Sequence, residues 1–138
     1  MKLNPYLAFD GQCREAFEFY AKALGGTIAF MQTIGESPMA ANTPPEAHGR
    51  VMHVTLHIGE QVLQGADAPP GQFTRPAGFC VATHFEDAAD GERVFNALAE
   101  GGRVQMPFQP TFWAKGFGMC IDRFGTPWIV NGGQMAGS

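Results

Sequence analysis

The sequence predicts an α+β protein made of two successive β-α-β-β-β modules within a single domain, 1–138. Three observations carry this. Laying the glycine pair 25–26 over the pair 101–102 gives an offset of 76 (102 − 26), and that offset also aligns Phe19 with Phe95, Ala21 with Ala97, Ala23 with Ala99 and Ile28 with Val104. This is a weak internal repeat. Both halves also run through the same order of hydrophobic periods: an apolar strand, a helical stripe, a Gly-Gly stop, then further strand-like runs. Finally, 138 residues with 45% hydrophobic side chains can hide roughly two thirds of their unfolded surface without disulfide or metal staples. The modules are placed at 4–66 and 77–131.

In order along the chain, "LNPYLAF" reads as a first strand ended by Asp10 and Gly11. A helix is predicted from Gln12 to Leu24, because Cys13, Phe17, Tyr20 and Leu24 make one apolar stripe while Arg14, Glu18 and Lys22 form an exposed i, i+4 ladder. Gly25 and Gly26 stop it. "TIAFMQTI" is the second strand. "RVMHVTLHIGEQVLQG", residues 50–65, is a hairpin turning at Gly59 and Glu60. Its first arm puts Met52, Val54, Leu56 and Ile58 on one face and His53, Thr55 and His57 on the other.

The second half opens with "GFCVATHF" as a strand, Asp87 as a helix cap and Val94, Phe95 and Leu98 as the helical stripe, ending at Gly101 and Gly102. "FGMCID" and "PWIVN" then flank a turn at Gly125. Three irregular stretches remain, at 35–50, 66–78 and 106–118. The middle one, with three prolines, reads as the connection between modules. The last carries Phe108, Phe112, Trp113 and Phe117 and is expected to pack over a cavity, since loops of such length are usually functional covers or disordered.

The charge is −4 with nine Lys and Arg, too few and scattered for a phosphate-tracking stripe, so no nucleic-acid partner is expected. No run approaches the roughly 18 apolar residues of a membrane span, and "MKLNPYLAFDG" breaks at Pro and Asp before a secretory core could form. A cytoplasmic protein is the expectation. Cys13, Cys80 and Cys120 are odd in number and set in apolar surroundings, which suits reduced buried thiols, with a reactive thiol as the minor alternative. "GFGM" at 116–119 lacks a third glycine, Ile121 standing in its place, and leads into a strand, so it is not read as a nucleotide loop.

"PYLAFDGQCREAFEFYAKALGG", "FMQTIGESP", "HVTLHIGEQVLQGADAPPG" and "TFWAKGFGMCIDRFGTPWIVN" together resemble the PhnB-like branch of the vicinal oxygen chelate superfamily, which also holds lactoylglutathione lyase, extradiol dioxygenases and bleomycin-binding proteins. The likeness runs from residue 4 to residue 131. It implies paired βαβββ modules forming a curled, cup-shaped mixed sheet of the glyoxalase/bleomycin resistance type, with helices on the convex side, assembled as a homodimer. In the metal-dependent members the resemblance places ligands near the start of each module's first strand and on its last strand. Here those positions fall at Pro5, near Phe79 and at Ile129 beside Trp128, none of which can ligate, leaving His53 alone near a ligand position. Relatives are often labelled methyltransferases acting on a ubiquinone precursor, yet no glycine-rich strand-to-helix loop is present to cradle S-adenosylmethionine, so methyl transfer is not expected.

The candidate site residues follow. His53 and His57 lie about 13 Å apart along an extended strand, too far to share one ion. His53 is the candidate general base, the alternative being that both histidines simply occupy the less buried sheet face. Trp113 and Phe117 are candidate walls for a flat ligand, or plain core, as Trp128 is read. Gln64 and Asn131 are candidate polar anchors, or surface amides. Glu36 is a candidate acid in the first long loop. Three functions stay open: a module binding a small apolar or aromatic molecule with no tightly bound metal, a glyoxalase-type lyase or isomerase for a substrate with vicinal oxygens, and a dimer whose cup is vestigial. The first is favoured by the missing ligands. No cofactor is expected, a loosely held divalent metal being the alternative.

Overall fold

A computed structural model describes residues 1–135. The element order is β1 (Tyr6–Phe9), α1 (Cys13–Leu24), β2 (Thr27–Thr33), β3 (Val51–Ile58), β4 (Gln61–Asp67), β5 (Val81–Phe85), α2 (Ala88–Ala99), β6 (Arg103–Gln109), β7 (Ala114–Ile121) and β8 (Pro127–Gln134). This is the glyoxalase/bleomycin resistance-like α+β fold: two four-stranded mixed sheets, ordered β1-β4-β3-β2 and β5-β8-β7-β6. In each, the first strand pairs in parallel with the last and the other pairings are antiparallel. The chain divides into two compact units, Met1–Thr74 and a second starting at Arg75. No helix among the described residues is long and apolar enough to cross a membrane.

The first unit is built on alternation. Leu7 and Phe9 of β1, Val54 and Leu56 of β3 and Leu63 of β4 are buried, and α1 covers that face with Cys13, Ala16, Phe17, Tyr20 and Ala23. Phe17 meets Phe9 and Tyr20 edge-on. It lies so close to β4 that a Cβ on Gly65 would stand 2.7 Å from its ring, so only glycine fits there. Gly25 ends α1 in the left-handed conformation at φ 72°, which costs glycine little. The start of α1 has no local side-chain cap. Instead Asp67, at the end of β4, accepts from the N–H groups of Gly11 (2.7 Å) and Cys13 (3.1 Å) through Oδ1 and from Val51 (2.8 Å) through Oδ2. One carboxylate thus ties β3, β4 and the helix start together.

The second unit repeats the plan. Asp87 caps α2 by accepting from Ala89 N–H at 2.9 Å, and Val94, Phe95 and Leu98 are buried. Asp122 accepts from Phe124 N–H, Thr126 N–H and Trp128 Nε1–H, fixing the β7–β8 turn and placing Trp128 in the core at 1% exposure. β2 and β6 are related by an offset of 76 at both ends (103 − 27 and 109 − 33). β3 and β7 start only 63 apart (114 − 51), because 17 residues separate β2 from β3 and four separate β6 from β7.

The stretch 106–118 departs from the expectation of a long covering loop. β6 continues to Gln109 and β7 begins at Ala114, so four residues suffice for the turn. Pro107 is tolerated inside it because β6 is an edge strand with a register shift between Met106 and Gln109. Phe108 packs on the α2 side, where a Cβ on Gly116 would overlap its ring and Gly91 lies close beside it. Phe112 is 89% exposed.

Candidate functional site

The open face of the first sheet, opposite α1, is set by the residues that alternate with the buried ones. Tyr6 stands on it because Leu7 and Phe9 point to the helix, and it pairs with Gln64 on β4. Gln64 in turn pairs with Thr55 on β3. His53 lies two residues from Thr55, on the same side. These four side chains form one hydrogen-bonded chain. Tyr6 Oη is 3.1 Å from His53 Nδ1, His53 Nε2 is 3.0 Å from Thr55 Oγ1, and Gln64 Nε2 donates to Thr55 Oγ1 at 3.4 Å. The rings of Tyr6 and Phe30 flank the imidazole at 5.7 and 6.0 Å. Burial raises the Tyr6 phenol above its ordinary pKa, with a further push from Cys13, so it holds its proton at neutral pH.

This arrangement can do proton chemistry. With the imidazole proton on Nε2, the Tyr6 hydroxyl donates to Nδ1; with it on Nδ1, Thr55 donates to Nε2, and a doubly protonated ring donates to both hydroxyls. All three states keep both bonds, so a proton can pass across the ring without side-chain movement. His57 is exposed and its cross-strand partner is Thr27, which leaves it outside this chain of bonds.

The open face of the second sheet carries different chemistry. Asn131 on β8 has Phe117 of β7 and His84 of β5 as its two strand partners, and partners in register share a face. Trp113 stands edge-on to Phe117 with ring centroids 5.1 Å apart. Asn131 is 6% exposed, and its Oδ1 has no hydrogen-bond partner among the described residues. A buried carbonyl oxygen with nothing to accept from costs free energy, so each such atom in a folded protein calls for an explanation. His84 Nδ1 lies 3.3 Å from Gln134 Nε2.

The candidates therefore fall into two groups: His53 and Gln64 on one sheet, Trp113, Phe117 and Asn131 on the other. Glu36 joins neither. Its carboxylate accepts from Thr33 N–H and the Thr33 hydroxyl, bonds that hold its pKa below the usual range and make it the cap of a turn. Tyr6, Phe30 and His84 were not singled out from sequence. Alternation with Leu7 and Phe9 is enough to put Tyr6 opposite the helix, whereas His84 gains its meaning only from the parallel β5–β8 pairing. The donor set does not fit a catalytic divalent ion. Among the described residues no three His, Cys, Asp or Glu side chains gather, and both nitrogens of His53 are engaged. The β5 neighbour of Ile129 is Ala82, while Phe79 precedes the strand.

Known proteins place this geometry. A family model described as 3-demethylubiquinone-9 3-methyltransferase matches residues 1–131. Protein YjdN of Escherichia coli K12 is 32% identical over 139 residues, covering 95% of each chain. Protein PA1353 of Pseudomonas aeruginosa is 43% identical with a TM-score of 0.87 over 98% of this chain and 99% of its own. A PhnB protein from Bacillus cereus, 24% identical over 96% of this chain and 99% of its own, shares the fold at a TM-score of 0.79. The chain belongs to the family that this model describes, the PhnB-like branch of the vicinal oxygen chelate superfamily whose motifs its sequence carries.

Proposed function

We propose that this protein binds a small apolar or aromatic molecule against the open face of its second sheet, without a tightly bound metal. The observation that carries the reading is Asn131: a buried acceptor with no partner, next to Phe117 and, through it, Trp113. Aromatic walls around one polar anchor are what small-molecule sites are made of. The donor set described above supports the metal-free reading. The name of the matching family model speaks of methyl transfer, which the proposal leaves out. Both strand-to-helix turns give their N–H groups to the protein's own carboxylates, Asp67 and Asp87, instead of presenting them to a cofactor.

The second reading, a lyase or isomerase for a substrate with vicinal oxygens, is favoured by the Tyr6–His53–Thr55 chain, which would move the proton that such chemistry needs. A homodimer is the companion proposal, supported by Val104 and Met106 standing exposed on edge strand β6; light scattering should return about twice the 14.9 kDa of one chain. The deciding experiment screens flat aromatic fragments against isotope-labelled protein by NMR. Shifts clustered on Trp113, Phe117 and Asn131, unchanged in His53→Ala, support binding. Turnover of dicarbonyls or catechols that His53→Ala abolishes would move the assignment to the enzyme, and stoichiometric metal in protein purified without chelators would end the metal-free reading.

A further inference from the structure

The open face of the first sheet carries no acid. Across β1, β2, β3 and β4 the one Asp, Glu, Lys or Arg is Asp67, which is buried beside the start of α1 and occupied by the backbone N–H groups it accepts from. The ionisable groups left on the open face are the Tyr6 phenol and the imidazoles of His53 and His57. In the turn after β2, the register partner of His53, Gln32, donates to the Glu36 carbonyl, while the Glu36 carboxylate is taken up by Thr33. Just before β3, Arg50 is paired with Asp10. Among the described residues no carboxylate stands within ion-pair distance of His53. A proton added to this ring therefore puts a positive charge on the face with no counter-charge from the protein.

The hydrogen bonds decide what such a charge recruits. A doubly protonated ring donates from Nδ1 to Tyr6 Oη and from Nε2 to Thr55 Oγ1, so each hydroxyl turns its own proton away from the imidazole. Thr55 is half-buried and its Oγ1 also meets the Gln64 amide, whereas Tyr6 is 54% exposed and holds its proton at neutral pH. The outward donor is thus the Tyr6 O–H, one hydrogen bond away from the charge. On a neutral ring that donor is free only when the ring proton sits on Nδ1, and the charge is gone. The rings of Tyr6 and Phe30, the latter 49% exposed, lie 5.7 and 6.0 Å from the imidazole and offer apolar surface beside it. We infer that this face is an anion site, taking a flat aromatic carboxylate on the Tyr6 hydroxyl with uptake of a proton by His53. The site is assigned to residues of the first unit alone and does not rest on the second-sheet reading above.

The test uses the whole chain with benzoate and its neutral counterpart benzamide, titrated by NMR and calorimetry at pH 5.5 and 8.5, an interval across which a free imidazole loses its charge. Benzoate should bind at least about five-fold more tightly at pH 5.5, the size of one charge contact at a solvated site, and benzamide equally at both. Near neutral pH the heat of benzoate binding should depend on the ionisation enthalpy of the buffer, the signature of a proton taken up. Shifts should centre on Tyr6, Phe30 and His53. His53→Gln should abolish both the pH dependence and the proton uptake, and His57→Gln neither. Tyr6→Phe should weaken benzoate about ten-fold at pH 5.5, the loss of one hydrogen bond to a charged group. Dispersed amide spectra establish that each variant is folded, and the comparison of benzoate with benzamide needs no variant. Equal benzoate affinity at the two pH values, a pH dependence that survives His53→Gln, or no benzoate binding at all overturns the inference. Benzoate shifts confined to Trp113, Phe117 and Asn131 would overturn it as well, while supporting the second-sheet reading.

Discussion

Asn131→Leu should make this protein more stable, because the native residue holds a polar atom where nothing satisfies it. The cost of burying a carbonyl oxygen with no hydrogen-bond partner is about 1–3 kcal/mol, and Asn131 Oδ1 is in that condition at 6% residue exposure. Leucine replaces the oxygen and the amide nitrogen with two methyl groups, an apolar gain of about 0.8 kcal/mol. Its branched end must fit beside Phe117 and His84, and crowding of this kind takes back about 1 kcal/mol. The net expectation is a gain of about 1–3 kcal/mol. At this chain length each kcal/mol moves the midpoint by about 4 °C, so Tm should rise by about 4–12 °C in a calorimetric or circular dichroism melt, with the urea m-value unchanged. Gln64→Leu is the control. That amide already donates to Thr55, so removing it should give no comparable gain. A drop in Tm of similar size for Asn131→Leu would mean that the carboxamide is satisfied in solution, and the argument for a ligand there would lose its foundation.

The three thiols should separate by burial. Burial, with the nearby Asp67 carboxylate adding to it, pushes Cys13 up to about 12, and burial with Asp122 pushes Cys120 up to about 11, while Cys80 is only half-buried. A thiol reagent at pH 8 should therefore modify Cys80 first and reach the other two only on unfolding. Because both folded pKa values lie above the unfolded value near 9, the folded state keeps protons that the unfolded chain releases. Stability should hold below pH 9 and fall as pH rises toward 11–12, a decline that Cys13→Ala shallows in urea titrations; a flat profile would contradict it. Asp67→Ala should cost about 3–5 kcal/mol, since three backbone N–H groups lose a charged acceptor together. A loss under 1 kcal/mol in urea unfolding would show that water replaces it.

Much of the fold was legible because glycine, alternation and the helical period act locally. The stripe Cys13, Phe17, Tyr20 and the cap at Asp87 are both in place, and the offset of 76 reproduces β6 from β2 to the residue. What failed was the stretch 106–118, expected as a long covering loop, where Pro107 in fact lies inside β6. Whether a proline breaks a strand depends on which edge of it faces a neighbour, and that is fixed by the sheet order, not by the residues around it. The site was partly legible for the same reason. Alternation put His53, Thr55 and His57 on one face, and only the three-dimensional contacts separate them: His53 bonds Thr55 while His57 is exposed. The meaning of Asp67, which looks like the end of a strand, comes from three N–H groups up to 56 residues away.

The two units show how one repeated sheet can be given two chemistries. Register supplies the equivalence: Tyr6 and Thr55 are the two partners of Gln64, as Ala82 and Met119 are the two partners of Ile129. The positions that carry the hydrogen-bonded chain in the first sheet are thus wholly apolar in the second. The reverse holds two residues further along. Asn131 and His84 correspond to Ala66 and Ala8, which pair with each other on the first sheet. Exchanging the polar set, with Gln64→Ile on one sheet and Ile129→Gln on the other, should leave both sheets folded, since these side chains stand on the open faces and are only half-buried.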